Sequence, residues 1–195
     1  MIPFIGLTGG IGAGKSTALD ALKRLGAATL STDAVVHELY ETAEVREAVA
    51  ARFGPEVLRD GAIDRPSLAR LAFGSGDGRA WLEQLLWPRV GARVAAWRGE
   101  LDTYAPPPVA AVVEVPLLFE AGMESIFDAT IAVIAEEETR HQRAFERGHQ
   151  ALDERAARQL SQQEKSHRAT YTVVNDGSVA DLEHKLSTIL DMLGK

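Results

Sequence analysis

The sequence predicts an α/β fold in which a five-stranded parallel sheet is covered by helices on both faces. Three observations predict it. Five short apolar runs alternate with segments of helical spacing along 195 residues, the order from which parallel sheets are built. The run Val109–Val115 is apolar apart from Glu114, as suits a strand buried on both faces. The first run, Phe4-Ile5-Gly6-Leu7, leads into Gly9-Gly10-Ile11-Gly12-Ala13-Gly14-Lys15-Ser16-Thr17, which fits G-x-x-x-x-G-K-[ST].

That loop has a specific physical use. Ala18, Leu19, Ala21, Leu22 and Leu25 follow it at helical spacing and Gly26 supplies a stop. The first N–H groups of a helix lack intrahelical partners and lie at the positive end of its dipole. Glycines let such a backbone wrap a phosphate without obstruction. In this motif Lys15 reaches the β- and γ-phosphates and the Ser16 hydroxyl ligates Mg²⁺. The alternative is a glycine-rich structural turn, which the strand–loop–helix context disfavours.

The bulk composition is that of a soluble globular protein, 46% hydrophobic and 25% charged. A net charge of −7 argues against a general nucleic-acid binder. With no cysteine there is no thiolate nucleophile and no disulfide, which fits a reducing compartment. No signal peptide pattern and no apolar stretch of transmembrane length are seen. The expectation is one cytoplasmic domain, residues 1–195, with no membrane, nucleic-acid or obligate protein partner.

Along the chain, Ala27–Leu30 reads as the second strand, ending in Ser31-Thr32-Asp33. A carboxylate just past a strand's carboxyl end sits where open parallel sheets bind ligands. Residues 34–105 then hold no convincing strand and read as a helical insertion of the kind that carries a second substrate. Gly54-Pro55 and Asp60-Gly61 are turns; Asp64 is an N-cap before Arg65-Pro66. Leu82, Leu85, Leu86, Val90, Val94 and Trp97 mark a longer helix that Pro88 kinks or divides. Pro106-Pro107-Pro108 is a stiff connector into the third strand, Val109–Val115. Ala129–Ile134 and Tyr171–Val174 are the fourth and fifth strands, and Leu182, Leu186, Ile189, Leu190 and Leu193 line a last helix.

Between the last two strands lies a basic cluster. Arg140, Arg143 and Arg147 share one helical face, with Arg155 and Arg158 beyond. They form either a solvated face paired with Glu136 and its neighbours or, beside a phosphate loop, a segment that closes over a transferring phosphoryl group. The second use is favoured for at least one of them, and residues 137–165 are read as a lid. His37, His141, His149, His167 and His184 show no metal-ligand spacing, and Trp81, Trp87 and Trp97 read as core positions.

Leu7-Thr8-Gly9-Gly10-Ile11-Gly12 through Thr17, then Thr32-Asp33, then Val115-Pro116-Leu117-Leu118-Phe119-Glu120, resemble the dephospho-CoA kinase family. Arg52-Phe53-Gly54, Gly61-Ala62-Ile63-Asp64-Arg65 ahead of Leu68 and Phe73, Arg158, Gln162 or Gln163, and Val173-Val174-Asn175-Asp176-Gly177 extend the resemblance along essentially the whole chain. It implies a P-loop NTPase fold of the nucleoside-kinase type, three layers α/β/α, with a CoA-binding insertion and a lid. It implies transfer of phosphate from ATP to the ribose 3′-hydroxyl of 3′-dephospho-CoA, giving CoA and ADP. By the same resemblance Gly12, Ala13, Gly14, Lys15, Ser16 and Thr17 hold ATP with Mg²⁺ on Ser16. Arg143 and Arg147 match lid arginines, and Asn175 and Gly177 lie in the adenine-side loop. Asp33 faces the acceptor hydroxyl. Two positions depart from the family: Trp87-Pro88 replaces its usual His-Pro, so that Trp87 stacks on substrate or simply packs, and Ala169-Thr170 replaces Ala-Asp.

A carboxylate of ordinary pKa is a weak base for an alcohol, so orientation with late proton acceptance suits Asp33 better than full prior deprotonation. Its other reading is a helix N-cap before Ala34. Glu114 is either an outer partner of Mg²⁺ or substrate, or a strand-end carboxylate; Glu120 reads as a helix-end or loop residue. Another small-molecule P-loop kinase shares the same machinery. A GTP-driven switch is the other alternative; such proteins usually read guanine with an Asn-Lys-x-Asp element, which this sequence lacks.

Overall fold

The computed structural model describes residues 1–74, 76–146 and 159–194. The backbone forms two compact units, one of Met1–Ser31 with Glu100–Lys195, the other Thr32–Gly99.

The first unit is built on a parallel sheet. Its strands are β1 (Phe4–Gly9), β2 (Ala28–Ser31), β5 (Ala111–Glu114), β6 (Ala129–Ile134) and β7 (Tyr171–Val174), in the spatial order β2-β5-β1-β6-β7. β1 is central, with Leu7 opposite Glu114 on one side and Ile131 on the other. Chain order therefore reverses across β1, and its carboxyl end is the crevice where open α/β sheets take ligands.

Strand alternation sends Ile5 and Leu7 to one face. There they pack with Val112, Ile131, Val133 and Val173 beneath α1 (Lys15–Arg24) and α8 (Val179–Leu193). Phe4 and Thr8 take the other face, where Phe127 stacks at 4.8 Å on Phe4 and Thr8 Oγ1 donates to the Pro116 carbonyl at 3.2 Å. α6 (Glu137–Glu146) follows β6, and α7 (Gln162–Arg168) precedes β7. The five expected strands are all present, but the third is shorter than expected: Val109 is exposed and lies outside β5.

The second unit contains α2 (Thr32–Glu41), α3 (Ala43–Phe53), α4 (Arg65–Gly74) and α5 (Gly78–Glu100), whose last residue lies beyond the unit. Val45, Val49, Val57, Leu68, Ala72 and Leu86 form its core, and Trp81 meets Phe53 edge-on at 5.5 Å. It is not wholly helical. β3 (Leu58–Arg59) and β4 (Ala62–Ile63) pair antiparallel around Asp60-Gly61, whose φ values of 52° and 78° are those of a type I′ hairpin turn. The turn is legible in the Asp-Gly pair; strands of two residues are too short to show alternation. Pro88 does not divide α5, which runs unbroken for 23 residues. Arg89 donates its guanidinium back to the Leu85 carbonyl at 2.6 Å in the turn around the proline.

Four of the described helix starts are fixed by side chains, that of α3 by Thr42, whose Oγ1 accepts the Val45 N–H at 3.4 Å. Asp64 accepts from the Ser67 N–H at 3.1 Å ahead of α4, while Ser161–Glu164 and Ser178–Asp181 form capping boxes on α7 and α8. Hydrogen bonds from Ser67, Ser161 and Ser178 respectively hold the Asp64, Glu164 and Asp181 carboxyls below their usual range. A carboxylate lowered in the folded state adds stability that is complete above its unfolded pKa, about 4, and is lost as pH falls through the folded value. Asp181→Ala should therefore lower the thermal midpoint at pH 7, and the gap to the parent should shrink below about pH 3. A gap that stays constant down to that pH would contradict the assignment.

Candidate active site

The phosphate loop leaves the carboxyl end of β1 and enters α1 through Gly14, whose φ of 95° and ψ of 30° place it in the left-handed region. No side chain caps α1. A helix start without a side-chain cap is the kind that suits anion binding. Ala13 is fully buried beneath the loop, Ser16 is exposed, and Thr17 is half-buried. The Lys15 ammonium donates to the Gly9 and Gly10 carbonyls at 3.1 Å each, curled over the loop.

Two other elements grip the loop. Asn175, buried at the end of β7, donates Nδ2 to the Ala13 carbonyl at 2.9 Å and its own N–H to Ile134 at 2.8 Å. A Cβ on Gly14 would run into that Asn175 amide. On α6, Arg140 Nε donates to the Ile11 carbonyl at 2.9 Å, and the Arg140 backbone lies where a Cβ on Gly12 would go. Arg143 donates to the Asn175 carbonyl at 3.0 Å. Asp176 accepts the Glu136 N–H at 2.7 Å and so ties the start of α6 to the end of β7. Loop, Asn175 and two arginines therefore form one connected cationic surface at the switch point of the sheet.

Not every expected residue belongs to this surface. Arg147, with Arg155 and Arg158, lies outside the described residues. Gly177 is exposed in the turn before α8. Asp33 is exposed in the first turn of α2, which begins at Thr32, so it is not the N-cap that its position before Ala34 allowed. Glu114 is 9% exposed as the last residue of β5, opposite Leu7 and Ser31.

Other residues take roles that spacing did not reveal. Arg140 is legible as one of a basic cluster, but its bond to the loop is not. Glu120 lies in a turn, as a loop residue would, but it also has a buried partner. It accepts the buried ammonium of Lys165 at 2.9 Å and the Leu160 N–H at 2.8 Å. Of the two glutamines, Gln162 is the one that clasps Ala135, accepting its N–H at 2.9 Å and donating to its carbonyl at 2.8 Å. Burial pushes the Lys165 pKa down, against the opposing pull of Glu120.

Comparison with known proteins decides the family. The family model for dephospho-CoA kinase matches residues 3–181. The chain belongs to the dephospho-CoA kinase family. It is 42% identical over 181 residues to the dephospho-CoA kinase of Moorella thermoacetica, covering 90% of this chain and 84% of that one. A crystal structure from Thermus thermophilus aligns with a TM-score of 0.81 and 34% identity over 98% of both chains. The dephospho-CoA kinase of Campylobacter jejuni aligns at 0.72 and 26% identity, over 100% of this chain and 98% of that one. The fold is accordingly that of a P-loop kinase.

Membership in this kinase family frames the two departures. Trp87 is 58% exposed on α5, unlike Trp97 at 8%, so it is not a core position. Thr170 exchanges hydrogen bonds with Thr130, each hydroxyl accepting the other's backbone N–H at 3.0 Å. A hydroxyl there closes the entry of β6 and β7 without burying a charge.

Gly14→Ala should abolish measurable ATP binding in an equilibrium titration. The side chain meets Asn175 and the left-handed backbone penalises any Cβ by roughly 1–2 kcal/mol. Gly61→Ala, with open space around its Cβ, should leave ATP affinity unchanged.

Proposed function

We propose that this chain transfers the γ-phosphoryl group of ATP to the ribose 3′-hydroxyl of 3′-dephospho-CoA, releasing ADP and CoA. The observation that carries this is an uncapped phosphate loop gripped by the arginines of α6 in a member of this kinase family. Phosphoryl transfer asks a protein chiefly for positioning and charge stabilisation, and this surface offers both.

In this reading the backbone of Gly12–Thr17 cradles the phosphates. Lys15 exchanges two neutral carbonyl acceptors for phosphate oxygens, which form stronger, charge-assisted bonds. An exposed Ser16 hydroxyl at the helix start suits Mg²⁺, which takes few protein ligands and completes its shell with phosphate and water. Held there, a divalent ion would supply positive charge against the charge that develops on the transferring phosphoryl group. Arg143, with Arg147 beyond the described residues, spreads charge on the transferring group. Asn175 and Gly177 border the adenine.

Asp33 orients the acceptor hydroxyl. As the O3′–P bond forms and the bond from the γ-phosphorus to the β–γ bridging oxygen breaks, the hydroxyl proton passes late to its carboxylate. Its exposure just beyond β2 and its place in a helix's first turn, where a negative charge is favoured, support that role. Residues 34–105 bind the acceptor, residues 137–165 act as a lid, and the reaction runs in the cytoplasm. No described helix is long and apolar enough to cross a membrane.

Coupled ADP production should depend on dephospho-CoA; acceptor-independent turnover alone, or none, rejects the assignment. Asp33→Asn should lower kcat by roughly 100-fold or more while ATP affinity persists. Turnover near the parent's would remove Asp33 from the mechanism.

A further inference from the structure

Lys165, the last residue of the segment proposed above as a lid, has no individual role in that chemistry, and its surroundings are unusual. It is 0% exposed, and burial of a lysine is costly unless the charge is paired. Its ammonium reaches the Pro116 carbonyl at 2.7 Å, Thr8 Oγ1 at 3.4 Å and Glu120 Oε1 at 2.9 Å. Glu120 also holds the Leu160 N–H, two residues before α7. The ammonium therefore gathers three stretches distant in sequence: the end of β1, the Pro116–Glu120 segment and α7.

One turn back on the same helix, Gln162 makes its two-point clasp on Ala135. Ala135 is the residue between β6 and the stretch that starts α6. Lys165 and Gln162 are three apart and so share a face of α7. Thr8 directly precedes the phosphate loop, while Ala135 roots the helix whose Arg140 bonds the Ile11 carbonyl of that loop. Helix α7 thus spans the floor of the loop and the root of its arginine helix.

We propose that Lys165 is a positioning residue for phosphoryl transfer: paired with Glu120, it locks α7 so that Gln162 holds Arg140 and Arg143 in register with the phosphate loop. A well-packed apolar residue would fill the same space at less cost, since a buried ion pair adds little net stability over hydrophobic replacements. What the pair adds is direction. An ammonium with fixed acceptors permits one placement of α7, whereas a methionine would permit several.

The inference rests on the kinase reading for its chemistry, and the test separates the two. Lys165→Met/Glu120→Gln leaves no buried charge and keeps an acceptor for the Leu160 N–H; Gln162→Met severs only the clasp. Each is compared with the parent for thermal midpoint, ATP affinity, kcat with dephospho-CoA and ATP hydrolysis without acceptor. Both variants should stay folded and bind ATP within about threefold of the parent. Transfer and hydrolysis should each slow by roughly 10- to 100-fold, the scale of a small misplacement. Parent rates in a folded variant overturn the proposal, as does a loss confined to the thermal midpoint or to ATP affinity. Should the double variant not fold, Gln162→Met decides by the same rates. A parent with no dephospho-CoA-dependent turnover rejects the kinase reading alone, because the hydrolysis measurement needs no acceptor.

Discussion

An α-helix begins with N–H groups that its own backbone cannot satisfy, and four of the described helices meet that need with a side chain. Thr42, Asp64, Ser161 and Ser178 all do so. α1 does not. Instead, the surrounding structure holds the loop before it in shape. β1 provides a rigid floor between two parallel neighbours; Asn175 and Arg140 take up the carbonyls of Ala13 and Ile11 from above. The carbonyls of Gly9, Gly10, Ile11 and Ala13 are all satisfied by side chains. A glycine-rich turn held in this way before an uncapped helix start suits an anion.

The same logic explains the cost accepted beneath the loop. Removing one member of a buried ion pair destabilises a protein by about 3–5 kcal/mol, yet the intact pair adds little over an apolar replacement. Lys165 and Glu120 thus bring vulnerability without much stability. Their bonds run to Thr8, Pro116 and Leu160, each on a different stretch of chain. A polar knot of this kind fixes geometry, which is what transfer of a phosphoryl group asks of a protein.

The unit of residues 32–99 is built on different terms. Its apolar core is closed by Trp81 and Phe53, and exposed ion pairs such as Arg52–Asp77 at 2.8 Å tie its helices together. Exposed pairs contribute little stability each, so the core carries this unit. Trp87 stands apart from that core on α5. It keeps a large aromatic side chain in solvent, 58% exposed, where Trp97 on the same helix is buried at 8%.

Local patterns were enough to determine a good deal by themselves. Ala129–Ile134 and Tyr171–Val174 are strands at the very residues their apolar runs indicate, the first because it is buried almost throughout, the second as an edge strand rich in β-branched and aromatic residues that buries Val173. Likewise the phosphate loop, the Asp60-Gly61 turn and the Asp64 cap follow from backbone conformations that few residue types accept. Only the tertiary structure decided the rest. Nothing near Lys165 marks it as buried, since its partner Glu120 lies 45 residues away. Arg140 and Arg143 look alike in a helical repeat, but one bonds the Ile11 carbonyl and the other the Asn175 carbonyl. Conformational preference is written in neighbouring residues, whereas the pairing of a buried charge or the target of an arginine depends on which distant strands the sheet brings together.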